Sequence, residues 1–199
     1  MRSKHVLWRQ GFREKDFERL ETVLENMDPH KAKVGTENRD DIISKNVSMQ
    51  AQIGKQVVEA VRSSRITWLS HSTWLRERLW RFAEEANRKH YGFDVTRACD
   101  VQYTEYLAEQ KGHYDWHVDV HPQREDMVFD RKLSLTVQLS DPDEYEGGKF
   151  EIERQTLPDW HTEKGTVLVF PSYVKHKVNP VTKGTRRSLV AWFEGPIWR

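Results

Sequence analysis

From residue 101 onward the chain is broken into short segments rich in β-branched and aromatic residues. They read VQYTEYLA (101–108), YDWHVDV (114–120), KLSLTVQL (132–139), GKFEIE (148–153), TVLVF (166–170) and SLVAWF (188–193). Turn signals lie between them: DPDEYEGG, LPD, FPS and VTKG. Such segments pack as strands, and Gly, Pro and Asp between them reverse the chain. The first half differs. REKDFERLETVLENM (13–27) spaces Phe17, Leu20, Val23, Leu24 and Met27 as one face of a helix. STWLRERLWRFAEEANRKHYG (72–92) repeats Leu75, Leu79, Phe82, Ala83 and Ala86 in the same way. Ser72 or Thr73 is its expected N-cap and Gly92 its stop. RITWL (65–69) reads as a strand, DPHKAKVGTENRDD as a loop, and residues 51–63 as either helix or strand.

Helices followed by a run of strands predict an α+β, mainly β architecture: an antiparallel β domain buttressed by helices. About eight such strands fit a double-sheet jelly roll. With 199 residues, one well-buried domain is expected. Residues 1–95 would form a mostly helical support and 96–199 the jelly-roll core. Residues 32–46 would be a lid.

The most unusual segment is HYDWHVDVH (113–121). His113, Asp115, His117, Asp119 and His121 alternate with Tyr114, Trp116, Val118 and Val120. A strand would put the polar set on one face and the apolar set on the other. One reading is a solvated face. A second is a local metal site of His117, Asp119 and His121. That reading meets the spacing of same-face neighbours, about 6.5–7 Å, and Pro122 bends the chain just beyond. A third takes His117 and Asp119 with a distant histidine, as a 2-His-1-carboxylate facial triad that leaves three metal positions open. The segment GTVLVFPSYVKHKVNPVTKGTRRSLVAWFEGP (165–196) offers His176 at the end of a β-rich stretch. Arg186 follows ten residues later, across a turn expected at Pro180 and Lys183-Gly184, and opens the next strand. An arginine there can form a bidentate pair with a dicarboxylate.

HVD at 117–119, EGGKFEI at 146–152 and HKVNPVTKGTR at 176–186 together resemble the iron and 2-oxoglutarate-dependent dioxygenases, in their prolyl-4-hydroxylase-like branch. The resemblance covers roughly the last half of the chain. It implies a double-stranded β-helix and makes His117, Asp119 and His176 the Fe(II) ligands. Arg186 would pair with the distal carboxylate of 2-oxoglutarate. Tyr103 or Tyr106 would be the pocket tyrosine. Thr136 and Gln138, with Ser134, would face the cavity from KLSLTVQLS, and Leu133, Leu135, Val137 and Leu139 would face away. The implied reaction hydroxylates an unactivated C–H bond, consuming O2 and releasing succinate and CO2, with ascorbate as an accessory reductant. Tyr114 and Trp116, on the opposite parity from the metal pair, are expected in the core, and Arg187 is expected to point away from the site. His121 and His113 are expected not to be ligands, and His161 to pack.

The bulk numbers fit this reading. Lys and Arg number 32 against 31 Asp and Glu, a formal charge of +1. That balance gives no global reason to bind nucleic acid or an anionic membrane. It disfavours the oxidative demethylase branch of the same superfamily, which needs a basic groove and stacking aromatics. One cysteine, Cys99, excludes an intramolecular disulfide and a Cys-rich zinc site. The N-terminus has no signal-peptide core and no apolar run approaches a membrane span. A soluble protein in a reducing cytoplasm is expected, where ferrous iron survives. A non-catalytic jelly-roll binding module is the alternative from another class, and would need neither iron nor 2-oxoglutarate. The substrate, whether amino acid, peptide residue or small metabolite, and the oligomeric state are not encoded in any motif.

Overall fold

The computed structural model describes residues 5–26, 33–34, 61–121 and 128–198. Helix α1 spans Glu14–Glu25 and α2 spans Thr73–Ala86, continued by a wide π turn over Asn87–Tyr91 that ends at Gly92 in the left-handed conformation. Ser72 precedes α2, but its hydroxyl makes no capping hydrogen bond. Asp16 accepts from the Arg13 backbone N–H at the start of α1, and the Arg78 guanidinium pairs with the same carboxylate at 2.9 Å, tying the two helices together.

The strands are β1 (Val6–Trp8), β2 (Lys33–Val34), β3 (Arg62–Ser63), β4 (Arg65–Trp68), β5 (Cys99–Leu107) and β6 (His113–His117). They continue as β7 (Phe129–Gln138), β8 (Tyr145–Gly147), β9 (Phe150–Ile152), β10 (Val167–Pro171), β11 (His176–Val178) and β12 (Val181–Pro196). Every pairing is antiparallel. The major sheet runs β1-β10-β7-β12-β5-β4-β2, with β8 also on β12. The minor sheet runs β3-β6-β11-β9. Among the described residues no helix is long and apolar enough to cross a membrane.

Period-2 alternation divides the major sheet into two faces. Leu133, Leu135, Val137 and Leu139 join Val101, Leu189, Ala191, Phe193, Val167 and Val169 in one core against Leu75, Leu79, Phe82, Ala83 and Ala86 of α2. The opposite face supplies Tyr106, Leu168, Phe170 and Val181 to a second core, with Phe150, Ile152 and Val178 of the minor sheet. β10 is therefore apolar on both faces, whereas β7 is apolar on one and Ser-Thr-Gln on the other.

Three expectations are corrected. VTKG is not a turn: Val181, Lys183 and Gly184 pair with β8, so β12 is one 16-residue strand and Arg186 lies inside it rather than opening it. The first hundred residues give strands to both sheets: β1 pairs β10, β3 pairs β6 and β4 pairs β5. HYDWHVDVH does not stay a strand to residue 121, since β6 ends at His117. Of the proposed lid, only Lys33–Val34 is described, paired with β4; residues 51–60 also lie outside the described residues, and 62–63 are the strand β3.

Gly184 is held at φ +68°, and a Cβ there would sit 2.0 Å from the Glu144 carbonyl oxygen. Gly184→Ala is therefore expected to detach β8 and to cost about 1–3 kcal/mol or more, read as a lower denaturant midpoint. An unchanged midpoint would contradict the pairing.

Candidate metal centre

His117 closes β6, and the chain leaves the sheet through a bend at Asp119. The bend brings together what a straight strand would hold apart. The Asp119 Oδ1 lies 3.6 Å from His117 Nε2, and Oδ2 lies 3.5 Å from His176 Nε2. His176 opens β11, directly opposite His117 in the minor sheet. The three ligand atoms lie within 4.8 Å of one another, and Asp119 and His176 are buried.

Backbone carbonyls fix both imidazoles. The Nδ1 of His117 is 2.7 Å from the Asp115 oxygen, and that of His176 is 2.9 Å from the Val174 oxygen. A carbonyl can only accept, so each Nδ1 carries the hydrogen and each Nε2 presents a lone pair. Two lone pairs and a carboxylate thus converge with no hydrogen between them. That donor set fits a cation. Asp119 is held in turn by the Ser134 hydroxyl, donating at 2.6 Å, and by its own N–H to the Ser172 carbonyl at 2.8 Å.

The electrostatics match. Burial, then the neighbouring His176, push His117 well below its ordinary pKa, so it is the free base at neutral pH. Burial alone would raise Asp119. The imidazoles of His176 and His117, the Ser134 hydroxyl and Trp192 outweigh it and hold the carboxyl below its ordinary value. The Trp192 indole N–H is buried beside this group.

The metal cluster opens into a pocket between the sheets. Its walls include Tyr106 and Gln102 of β5, Thr136 of β7, and Arg186, Ser188, Val190 and Trp192 of β12. Arg186 is 4% exposed, and among the described residues it makes no ion pair or hydrogen bond. A buried unpaired guanidinium is costly unless an anion meets it. Its carbon lies 5.6 Å from the Tyr106 ring centroid.

Tyr106 and Tyr103 are separated by parity. Tyr106 is directly opposite Arg186, so it shares the pocket face. Tyr103 is on the other face, packed towards the helices, with its hydroxyl on Glu105 at 3.3 Å. Gln138 has the expected parity, but its amide is engaged with Tyr145 at 2.9 Å and it does not line the pocket. Arg187 points away, to Glu105 at 3.3 Å. His121 pairs with Asp130 at 3.2 Å and is not in the cluster.

The expectation for Tyr114 and Trp116 is overturned. Tyr114 opposes Val178 while His117 opposes His176, so β6 spends one residue more than β11 between the same two rungs. This bulge reverses the parity. Tyr114 comes round to stack on the His117 ring at 3.4 Å and lines the pocket, and Trp116 turns outward at 37% exposure. Arg62 was also not anticipated as a wall residue. It lies over the Tyr114 ring at 4.8 Å and donates to Gln102 at 2.6 Å. No motif marked it, because β3 meets the site only through pairing with β6.

Residues 101–194 match the 2OG-Fe(II) oxygenase superfamily. A PKHD-type hydroxylase of Pseudoalteromonas atlantica is 39% identical over 90 residues, covering 43% of this chain and 39% of the relative. The chain thus matches about two fifths of the length of that curated relative. Over nearly the whole chain the fold is that of a Pseudomonas putida prolyl-4-hydroxylase, with a TM-score of 0.66 at 16% identity, covering 98% of this chain and 94% of that one. A Trichoplax adhaerens prolyl hydroxylase in complex with a peptide fragment gives a TM-score of 0.67 at 17% identity, covering 96% and 83%. The chain is thus similar over residues 101–194 to the 2OG-Fe(II) oxygenase superfamily, and its fold is that of the prolyl-4-hydroxylase-like double-stranded β-helix.

Proposed function

We propose that the protein is an Fe(II)- and 2-oxoglutarate-dependent dioxygenase that hydroxylates an unactivated C–H bond of an amino-acid residue, peptide or small metabolite. His117, Asp119 and His176 are assigned as the iron ligands. The observation that carries the reading is the convergence of three hydrogen-free ligand atoms within 4.8 Å, in a pocket that also holds an unpaired buried arginine. A divalent cation would meet the first need, and an anionic cosubstrate that also reaches the cation would meet the second.

When bound, iron and 2-oxoglutarate would supply the chemistry that activates O2: one oxygen atom goes to the hydroxylated carbon and the other to succinate, with CO2 released. The chain's own residues do the rest. The carbonyls of Asp115 and Val174 keep both imidazoles in the metal-binding tautomer. Ser134 and Ser172 form a hydroxyl pair at 2.9 Å behind Asp119, and Ser134 donates to the Oδ2 that faces His176. Tyr114 holds the His117 ring flat against its own. Arg186 takes the distal carboxylate, with Tyr106 beneath the guanidinium and Thr136 on the neighbouring wall. Phe150 and Phe170 pack on His176 at 5.6 and 4.7 Å, closing that side to water. Close relatives in fold named as prolyl hydroxylases favour a peptide or amino-acid substrate over a nucleic acid. A reducing cytoplasm, in which ferrous iron persists, suits this chemistry and the free Cys99.

An anaerobic titration with Fe(II) and then 2-oxoglutarate tests the reading. A weak visible charge-transfer band that requires both additions is expected. Absence of the band, in folded protein without iron uptake, would leave a non-catalytic binding module. His176→Ala and Asp119→Ala should abolish iron uptake and turnover with the circular dichroism spectrum unchanged, whereas His121→Ala should retain iron. Loss of iron in the His121 variant would break the ligand assignment. Arg186→Ala should weaken 2-oxoglutarate by about 10- to 100-fold, the loss of a charge-assisted pair, with iron affinity unchanged by calorimetry.

A further inference from the structure

The pocket has two basic walls, and the reading above uses only one of them. Its charged lining among the described residues is Arg62, Arg186 and Asp119. Asp119 belongs to the metal set, and Arg186 is assigned to the distal carboxylate. Arg62 has no ion pair among the described residues. Backbone pairing places it, opposite Tyr114 in the minor sheet. Its guanidinium carbon lies 4.8 Å from the centre of the Tyr114 ring, and that ring stacks on His117 at 3.4 Å. One aromatic ring therefore separates this cation from a metal ligand.

The hydrogen bonds around Arg62 leave donors over. Nε donates to the Ser64 hydroxyl at 2.8 Å, and Nη2 donates to Gln102 Oε1 at 2.6 Å. Both acceptors are neutral. A guanidinium only donates, so the Gln102 amide is fixed with its oxygen towards Arg62, where it also accepts from the Thr104 hydroxyl at 3.2 Å. The Gln102 NH2 is then left without an acceptor among the described residues, although the side chain is 2% exposed and lines the pocket. Arg62 Nη1 has none either. Bracing Tyr114 would use neither group. A buried amide NH2 left over beside an unpaired guanidinium calls for an acceptor, and a planar group with two oxygens matches two donors set side by side.

The charges point the same way. A divalent cation held by one carboxylate and two neutral imidazoles keeps one positive charge, which a dicarboxylate cosubstrate over Arg186 cancels. The charge on half-buried Arg62 is then unmatched, and such a cation gains from an anion beside it. Building on the assignment of iron and 2-oxoglutarate to this site, we propose that Arg62 and Gln102 receive a carboxylate of the substrate. The carbon to be hydroxylated then lies a few bonds from that carboxylate. The substrate is an amino acid held by its α-carboxylate or an acidic residue held by its side chain. Arg62 sets substrate specificity and does not hold the cosubstrate.

The test uses the full chain loaded with Fe(II) and 2-oxoglutarate. Two sets of carboxylates are added. One is the standard L-amino acids, each beside its carboxamide. The other is the N-acetyl methylamides of aspartate and glutamate, beside those of asparagine and glutamine. N-acetyl-L-proline methylamide is the neutral comparator. Without oxygen, a shift of the charge-transfer band reads binding; in air, succinate release reads turnover. At least one carboxylate should shift the band and speed succinate release about tenfold or more over its amide. The set it comes from tells the two substrate sources apart. Arg62→Met should raise its half-saturating concentration by about 10- to 100-fold. Gln102→Glu keeps an oxygen towards Arg62 but replaces the NH2 by a second carboxylate oxygen, and should weaken the same compound about tenfold or more by repulsion. A Gln102→Glu protein that binds it like the parent would show that Arg62 only braces the wall, and would overturn the proposal. So would a neutral amide as effective as its acid, no response to either set, or an equal loss of 2-oxoglutarate binding in Arg62→Met. Those results keep the parent's band and so spare the dioxygenase reading. A parent protein with no band would overturn both.

Discussion

Asp119 carries its negative charge almost out of water, 3.5–3.6 Å from two imidazole nitrogens that have no hydrogen to offer it. Three acceptors facing one another form a donor set that a cation satisfies. The surrounding structure keeps it in place. Two backbone carbonyls set the imidazole tautomers, two serines set the carboxylate, and a tyrosine ring lies flat on one imidazole. Removing any ligand would leave the others as unpaired buried acceptors. The cost of the site is thus carried by the rigidity of the sheets around it.

That rigidity comes from an asymmetric major sheet. Its helix-facing side packs an apolar patch on α2, a large contiguous core that anchors β5, β7, β10 and β12. Its other side is free to be polar because the anchoring is done elsewhere. Ser134, Thr136, Arg186 and Ser188 can therefore face an interior cavity without unfolding the sheet. The minor sheet then needs only to close over this face, which it does with short strands. Two of its four strands, β6 and β11, carry the histidines on directly opposed rungs.

The N-terminal strands bind the parts together. β1 extends the major sheet at β10, and β4 covers β5 on the far side of β12. β3 flanks β6 and carries Arg62 to the pocket wall, where it stacks over the tyrosine that stacks over His117. A segment with no recognisable motif therefore reaches the reactive end of the molecule. It gets there by backbone pairing, which side-chain patterns do not announce.

The sequence by itself determined which chemical groups are present and the order in which they occur. His-x-Asp, the distal His176 and Arg186 on a β-rich frame were legible, because short motifs constrain local backbone and because alternating Leu and Ser/Thr/Gln on β7 separates core from cavity. The long helix was legible for the same reason, since a periodic apolar face has only one way to be buried. What only the tertiary structure decided is which side of each strand those groups occupy. One extra residue in β6 turned Tyr114 towards the site, against the simple alternation. Parity relative to Arg186 separated Tyr106 from Tyr103, and pairing with β8 drew VTKG out of a turn and into a strand. Register and bulges are set by partners distant in the chain, and a side chain's face reverses with each single-residue slip. That is information a linear pattern does not contain.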